Sequence, residues 1–114
     1  MIHLAETKEN LQVINDQFGL PTFTKDLALA LKTVIEQIEQ WRGNTFHFCN
    51  AGEDAISRFD FAQEIFRLTG KEIRLSPCSS SEFPTKAKRP KWSRLLNESE
   101  IQLRDWKEGL REYY

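Results

Sequence analysis

Two stretches hold residue types suited to chemistry. The first runs from Glu82 to Arg94 and carries Lys86, Lys88, Arg89, Lys91 and Arg94, five basic residues in nine positions. Pro84 and Pro90 stiffen it by fixing their own φ angles. Arginine presents a planar fork that matches a phosphate bidentately, and lysine acts as a point charge. A stiff basic loop therefore suits a diphosphate, and a solvated surface loop is the plainer alternative. Trp92 could stack a nucleobase. One aromatic beside a short basic run, in a chain of pI ≈ 6.1, nevertheless argues against a nucleic-acid footprint.

The second stretch is Asn15-Asp16-Gln17-Phe18-Gly19-Leu20-Pro21-Thr22. It lies between an apolar β-type run and a helical pattern, and ligands of α/β sheets bind beyond the C-terminal ends of strands. Gln17 offers two donors and an acceptor, and Thr22 offers a hydroxyl. Gly19 permits an unusual backbone angle, and Pro21 fixes one. The competing reading is a well-made turn that satisfies its own hydrogen bonds.

Other chemistries lack their residues. No glycine-rich dinucleotide fingerprint and no phosphate-binding P-loop occur, and no Tyr stands four residues before a Lys. Ser79-Ser80-Ser81 has no evident base and reads as loop. His47 lies in an apolar run and reads as a core histidine. His3 and His47 are not at ligand spacing with Cys49 or Cys78, so no metal site is expected. The two cysteines read as reduced thiols of a cytoplasmic protein. Trp41, Trp92 and Trp106 read first as packing residues.

These stretches need elements to hold them. Residues 1–10 read as a helix that begins without a cap, which suggests a chain cut from something longer. Leu11–Ile14 reads as a strand. Thr24 is the expected cap of a helix whose apolar positions, Leu27 to Ile38, recur at helical spacing as far as Trp41, with Gly43 as its stop. Thr45–Cys49 reads as a buried strand. Ser57 and Asp60 form a capping box for a helix that Gly70 closes. Ile73–Leu75 reads as a third strand, and residues 77–92 as loop. Asn97 with Glu100 reads as another box, ahead of a terminal helix carrying Leu103, Trp106, Leu110 and Tyr113. The alternation predicts an α/β layer of short strands and about four helices. Three short strands make a poor sheet alone, which hints at a missing neighbour.

Composition bounds the rest. The chain has 114 residues, 39% of them hydrophobic, with a formal net charge of -1. That supports one small domain or part of a larger one. It gives no sign of a nucleic-acid or membrane partner, and no apolar run approaches the ~20 residues that span a bilayer.

Four stretches resemble the RmlD family of extended short-chain dehydrogenases, the dTDP-4-dehydrorhamnose reductases. They are VINDQFGLPTFTKDLALAL (13–31), FHFCNAGEDAISRFDFAQEIF (46–66), SSEFPTKAKRPKWSRL (80–95) and LRDWKEGLREYY (103–114). The resemblance covers nearly all of the chain but only the C-terminal part of the family's length. It implies that residues 1–114 are the small substrate-binding lobe of an extended short-chain dehydrogenase, without the Rossmann lobe. Gln17, Phe18, Gly19, Pro21 and Thr22 would line a nucleotide-sugar cleft. Arg89 would contact the diphosphate, with Pro90 and Ser93 shaping that wall, and Asp26 would be structural. No catalytic residue and no cofactor site carry over. NADPH or NADH is implied for the full-length protein, in which a separate Tyr-Lys pair reduces the 4-keto sugar. The implied partners are a dTDP-sugar, the Rossmann lobe and a possible second copy. A regulatory or interaction module built on the same fold is the alternative. Lys86 where the family usually has Pro, Arg58 for a frequent Trp, and Trp92 for Tyr or Asn are departures.

Overall fold

The computed structural model describes all 114 residues. In chain order the elements are α1 (Ile2–Ala5), β1 (Asn10–Ile14), β2 (Phe18–Gly19), α2 (Thr24–Glu36), α3 (Ile38–Trp41), β3 (Ile56–Ser57), α4 (Arg58–Thr69), β4 (Arg74–Cys78), a 3-10 turn (Ser80–Glu82) and α5 (Trp106–Tyr113). The result is a small α/β protein with short strands. The chain divides into two compact units. One comprises residues 1–19, 55–93 and Tyr114; the other comprises residues 20–54 and 94–113.

The first unit is built on a parallel pair, β1 beside β4, in register from Asn10↔Arg74 to Ile14↔Cys78. Alternation along β1 buries Leu11 and Val13 and exposes Gln12, as a period-2 strand with one covered face requires. Those two side chains meet Ala62 and Phe66 of α4, with Phe59, Ile73 and Leu75 around them. The capping box at the head of α4 is present: Ser57 Oγ accepts from Asp60 N–H at 3.0 Å, and Asp60 Oδ2 accepts from Ser57 N–H at 2.8 Å. Gly70 closes the helix at φ 63, a left-handed angle that a Cβ would penalise. The strand read at Ile73–Leu75 extends to Cys78, with Pro77 opposite Val13.

The first helix is shorter than the sequence pattern predicts. It ends after Ala5, since Glu9 and Asn10 are drawn into pairing with Arg74, whose N–H reaches Glu9 O at 3.3 Å. A single helical turn has little to set against that, because nucleation is costly.

The second unit packs α2, α3 and α5 with irregular chain. Ala30, Trp41, Cys49, Leu103, Trp106 and Leu110 are buried in it. Several expectations fail here. Thr24 does not cap α2. The cap position is Phe23, which has no capping side chain, and its N–H is taken at 2.7 Å by Oδ1 of Asn50. Thr45–Cys49 is not a strand, and His47 in it is exposed rather than core. With no strand alongside to pair its backbone, the segment gathers its rings on Trp41 instead. Phe46 lies 4.7 Å and Phe48 6.0 Å from the Trp41 ring. Asn97 caps no helix: its Oδ1 accepts from Ser99 N–H at 3.1 Å and its Nδ2 donates to Ile101 O at 2.8 Å, a local turn. Helix α5 starts only at Trp106, where Asp105 Oδ1 takes the Lys107 N–H at 2.8 Å. Tyr113, read as part of its apolar stripe, is 68% exposed.

A polar knot holds this unit. Asn50 is 1% exposed. Its Nδ2 donates to Asp26 Oδ2 at 2.7 Å and to Arg104 O at 2.9 Å, while its Oδ1 accepts the Phe23 N–H. Asp26 in turn accepts from Arg104 Nε at 3.0 and 3.1 Å, and Arg104 continues to Glu112, which also pairs with Lys25. The two carboxylates, Asp26 first and Glu112 second, push the Arg104 guanidinium further toward its protonated form. The structural role expected of Asp26 is this one.

Candidate functional site

The Gln17–Gly19 turn and the end of the basic arm lie side by side in the first unit. Phe18 is the junction. On one side β2 pairs antiparallel with β3, Phe18↔Ser57 and Gly19↔Ile56. On the other, Phe18 bridges Trp92: its N–H donates to Lys91 O at 2.8 Å, and its carbonyl accepts from Ser93 N–H at 2.9 Å. The Ser93 hydroxyl donates a second bond to Phe18 O at 3.1 Å. The two rings meet as well, with centroids 5.5 Å apart and planes at 34°.

Gly19 serves this junction differently from the sequence expectation. Its φ is not in the left-handed region, which only Gly43 and Gly70 occupy. What the position requires is space, since a Cβ there would sit 3.1 Å from Ser93 Oγ. Glycine lets the arm approach the turn.

A second tie secures both segments from below. Asp16 accepts from Ser80 N–H at 3.0 Å, from Ser80 Oγ at 2.9 Å and from Ser79 Oγ at 3.2 Å. Ser79 and Glu82 close a capping box on the 3-10 turn, Ser79 N–H donating to Glu82 Oε1 at 2.8 Å. The exit of β1, where the turn begins, is thus joined to the exit of β4, where the arm begins. The Ser80 N–H, with help from the two hydroxyls, holds the Asp16 carboxyl below the usual carboxylate range. Local spacing gives Ser79-Ser80-Ser81 no partner, because Asp16 lies 63 or 64 residues away.

The arm presents its charge to solvent. Lys86, Lys88, Arg89 and Lys91 are exposed, and none has an ion pair or a side-chain hydrogen bond in the chain. Pro90 is exposed beside Arg89, one residue before the pinned Lys91. The half-buried Gln17 side chain makes no hydrogen bond either. Arg94 differs from the other basic residues. It lies in the second unit and donates to Gly52 O at 3.0 Å and Glu53 O at 3.2 Å, so it braces a loop instead of facing a ligand. Pro21 and Thr22 also belong to the second unit and are half-buried. The structure therefore brings together Phe18, Gly19 and Ser93, with Gln17, Arg89 and Pro90 adjacent in sequence.

Both thiols are buried and free, and burial is the main cause that pushes each above the ordinary thiol range. They lie in different units and have the character of inert packing groups.

The family model for the RmlD substrate binding domain matches residues 1–114. The chain belongs to that family. It is 39% identical to the spore coat polysaccharide biosynthesis protein SpsK of Bacillus subtilis, over 99% of this chain and 39% of that protein. It is 33% identical to a dTDP-4-dehydrorhamnose reductase of Sinorhizobium fredii, over 97% of this chain and 41% of that one. Among solved structures, a dTDP-4-dehydrorhamnose reductase of Clostridium acetobutylicum superposes with a TM-score of 0.88 at 44% identity, covering 98% of this chain and 40% of that one. The reductase of Bacillus anthracis in complex with NADP gives 0.84 at 31%, with 98% and 39% covered. The chain thus spans about two fifths of the length of these relatives.

NADP, bound by one of those neighbours, needs backbone donors for its pyrophosphate, commonly at a helix N-terminus. In this chain Ser57 and Asp60 fill the head of α4 and Asp105 that of α5, whereas α2 has no side-chain cap. No helix is long and apolar enough to cross a membrane.

Proposed function

We propose that this chain is the nucleotide-sugar-binding part of a dTDP-4-dehydrorhamnose reductase, working in the cytoplasm on a precursor of cell-surface polysaccharide. In the complete enzyme a Rossmann lobe supplies NADPH and the catalytic Tyr-Lys pair. This chain by itself binds ligand and does not turn it over. The binding wall consists of Gln17, Phe18, Gly19, Arg89, Pro90 and Ser93, all of the first unit. Pro21 and Thr22, expected from the sequence to line the same cleft, are not included in it.

One observation carries this reading: the backbone of Phe18 is hydrogen-bonded on both sides of Trp92, which fixes an unpaired basic arm against a close-packed glycine turn. Cations that have no internal partner need break no ion pair to turn toward a diphosphate. An arm tied at both ends, through Asp16 to Ser80 and through Phe18 to Lys91 and Ser93, loses less entropy on binding than a free one. Arg89 is the member best shaped for the task, because its fork can take two phosphate oxygens at once.

Titration calorimetry with dTDP tests the assignment. The chain should release heat with dTDP, and Arg89→Ala should weaken binding by roughly tenfold or more, the range of a charged hydrogen bond. Unchanged affinity in that variant would remove Arg89 from the clamp.

A second reading, a non-catalytic interaction module, draws support from α2 and α3. Leu31, Ile35 and Ile38 are 46%, 71% and 50% exposed there. A monodisperse homodimer on gel filtration, with no heat from dTDP, would favour it.

A further inference from the structure

Trp92 is 61% exposed, whereas Trp41 and Trp106 are buried at 9% and 6%. Leaving an indole in water forgoes the largest burial gain any side chain offers, so packing does not account for its position. Mobility does not account for it either. The residues before and after it, Lys91 and Ser93, are both bonded to the backbone of Phe18, and its ring rests tilted against the Phe18 ring. The indole is held in place and still exposed. Within four residues upstream stand three exposed cations without ion pairs, Lys88, Arg89 and Lys91. A fixed aromatic surface next to unpaired cations matches a ligand that has a flat ring at one end and phosphates at the other. The chain's net charge of -1 and its single exposed tryptophan suit one such ligand better than a nucleic-acid strand.

We propose that Trp92 is the stacking surface for the nucleobase of the nucleotide-sugar, and so a specificity-determining residue for the nucleoside end of the ligand. The proposal rests on the nucleotide-sugar reading above and goes beyond it: Arg89 takes the diphosphate, and Trp92 takes the base. The planar indole is pre-positioned by Phe18. Stacking therefore costs little ordering, and the contact distinguishes a nucleoside diphosphate from a bare pyrophosphate.

The test is a titration of the chain with dTDP, inorganic pyrophosphate and an oligothymidylate, followed by both calorimetry and tryptophan fluorescence. dTDP should quench the exposed-indole emission saturably, and pyrophosphate should release heat without quenching. Trp92→Ala should weaken dTDP by about 5- to 150-fold, the range for loss of one stacked base, and leave pyrophosphate unchanged. Trp92→Phe should keep most of the affinity while losing the quench. If dTDP binds and Trp92→Ala binds it equally well, the stack is refuted and the diphosphate clamp stands. If neither dTDP nor pyrophosphate gives heat, the nucleotide-sugar reading fails and takes this proposal with it. If the oligothymidylate binds tighter than dTDP, with steep salt dependence, the surface serves single-stranded nucleic acid and the proposal is overturned.

Discussion

Replacing Asn50 by alanine should do more damage than its neutrality suggests. The side chain is almost fully enclosed and makes three hydrogen bonds of 2.7–2.9 Å, to Phe23 N–H, Asp26 Oδ2 and Arg104 O. Alanine removes all three and leaves a cavity. Asp26 keeps Arg104 as a partner, and the Arg104 carbonyl keeps the Ala51 N–H at 2.9 Å, but the Phe23 N–H loses its acceptor. A buried group left unsatisfied costs about 1–3 kcal/mol. One such group, together with the cavity and the lost contact to a carboxylate, amounts to about 3 kcal/mol. A domain of this size holds roughly 6–17 kcal/mol in total, at about 0.05–0.15 kcal/mol per residue. Urea unfolding followed by far-UV circular dichroism reads the loss. With an m-value of about 1–3 kcal/mol/M, the midpoint should fall by about 1–3 M. Asn44→Ala is the control, because Asn44 is exposed and makes one long bond to Arg42 O at 3.4 Å, so its midpoint should hardly move. Asn50→Asp supplies a check of sign. It replaces the donor facing Asp26 and the Arg104 carbonyl with an acceptor, and should be worse than alanine. If Asn50→Ala shifts the midpoint no more than Asn44→Ala, or if the aspartate variant is the milder one, the knot does not hold this unit together.

Three further outcomes follow from the geometry. The Asp16 carboxyl is held low by the Ser80 N–H and the serine hydroxyls, so its contribution to stability is complete above the unfolded carboxylate pKa of about 3.9 and is lost as pH falls through the lowered folded value. Urea midpoints measured from pH 6 down to pH 2 should therefore fall less steeply for Asp16→Asn than for the parent chain, and parallel curves would contradict this. Gly19→Ala sets a Cβ 3.1 Å from Ser93 Oγ, a contact that a turned hydroxyl relieves at a cost on the order of 1 kcal/mol. Adding Ser93→Ala should recover part of that loss, and strict additivity of the two changes would rule out the contact. Gly109→Ala brings a Cβ to 2.8 Å from Phe23 Cβ, where no flexible side-chain end can yield, so a thermal unfolding series should show about 1–3 kcal/mol lost to overpacking.

What the sequence revealed divides by the distance over which each element is determined. Helix α4 was readable from end to end because everything that defines it is local. Ser57 and Asp60 lie three residues apart, the apolar positions repeat at helical spacing, and Gly70 stands where a left-handed stop is needed. The stiffness and charge of the arm were readable for the same reason. The errors lie where a distant group intervenes. Asn50, not Thr24, takes the backbone donor ahead of α2 across 27 residues. A strand at Thr45–Cys49 required an edge to pair with, and no strand lies beside it. Asn97 and Glu100 have the spacing of a cap, yet Ser99 and Ile101 claim Asn97 first.

The candidate site depends on the same distinction. That Gly19 and the basic arm belong together could be expected from the residues and their resemblance, but what meets Phe18 and Gly19 is the end of the arm, Lys91 to Ser93, and the reason is long-range. Phe18 bonds to Lys91 and Ser93 across more than 70 positions, and Asp16 bonds to Ser79 and Ser80 across 63 and 64. Because these ties lie in the first unit, and the Asn50 knot lies wholly in the second, the two sets of variants should separate. Asn50→Ala should lower stability and, in the folded fraction, leave the affinity for dTDP unchanged. Asp16→Asn should weaken dTDP binding even where stability is matched, because it frees the base of the arm that carries Arg89. Matched losses of affinity in both variants would mean that the arm is not ordered by Asp16, and the argument for a pre-organised wall would fail at that point.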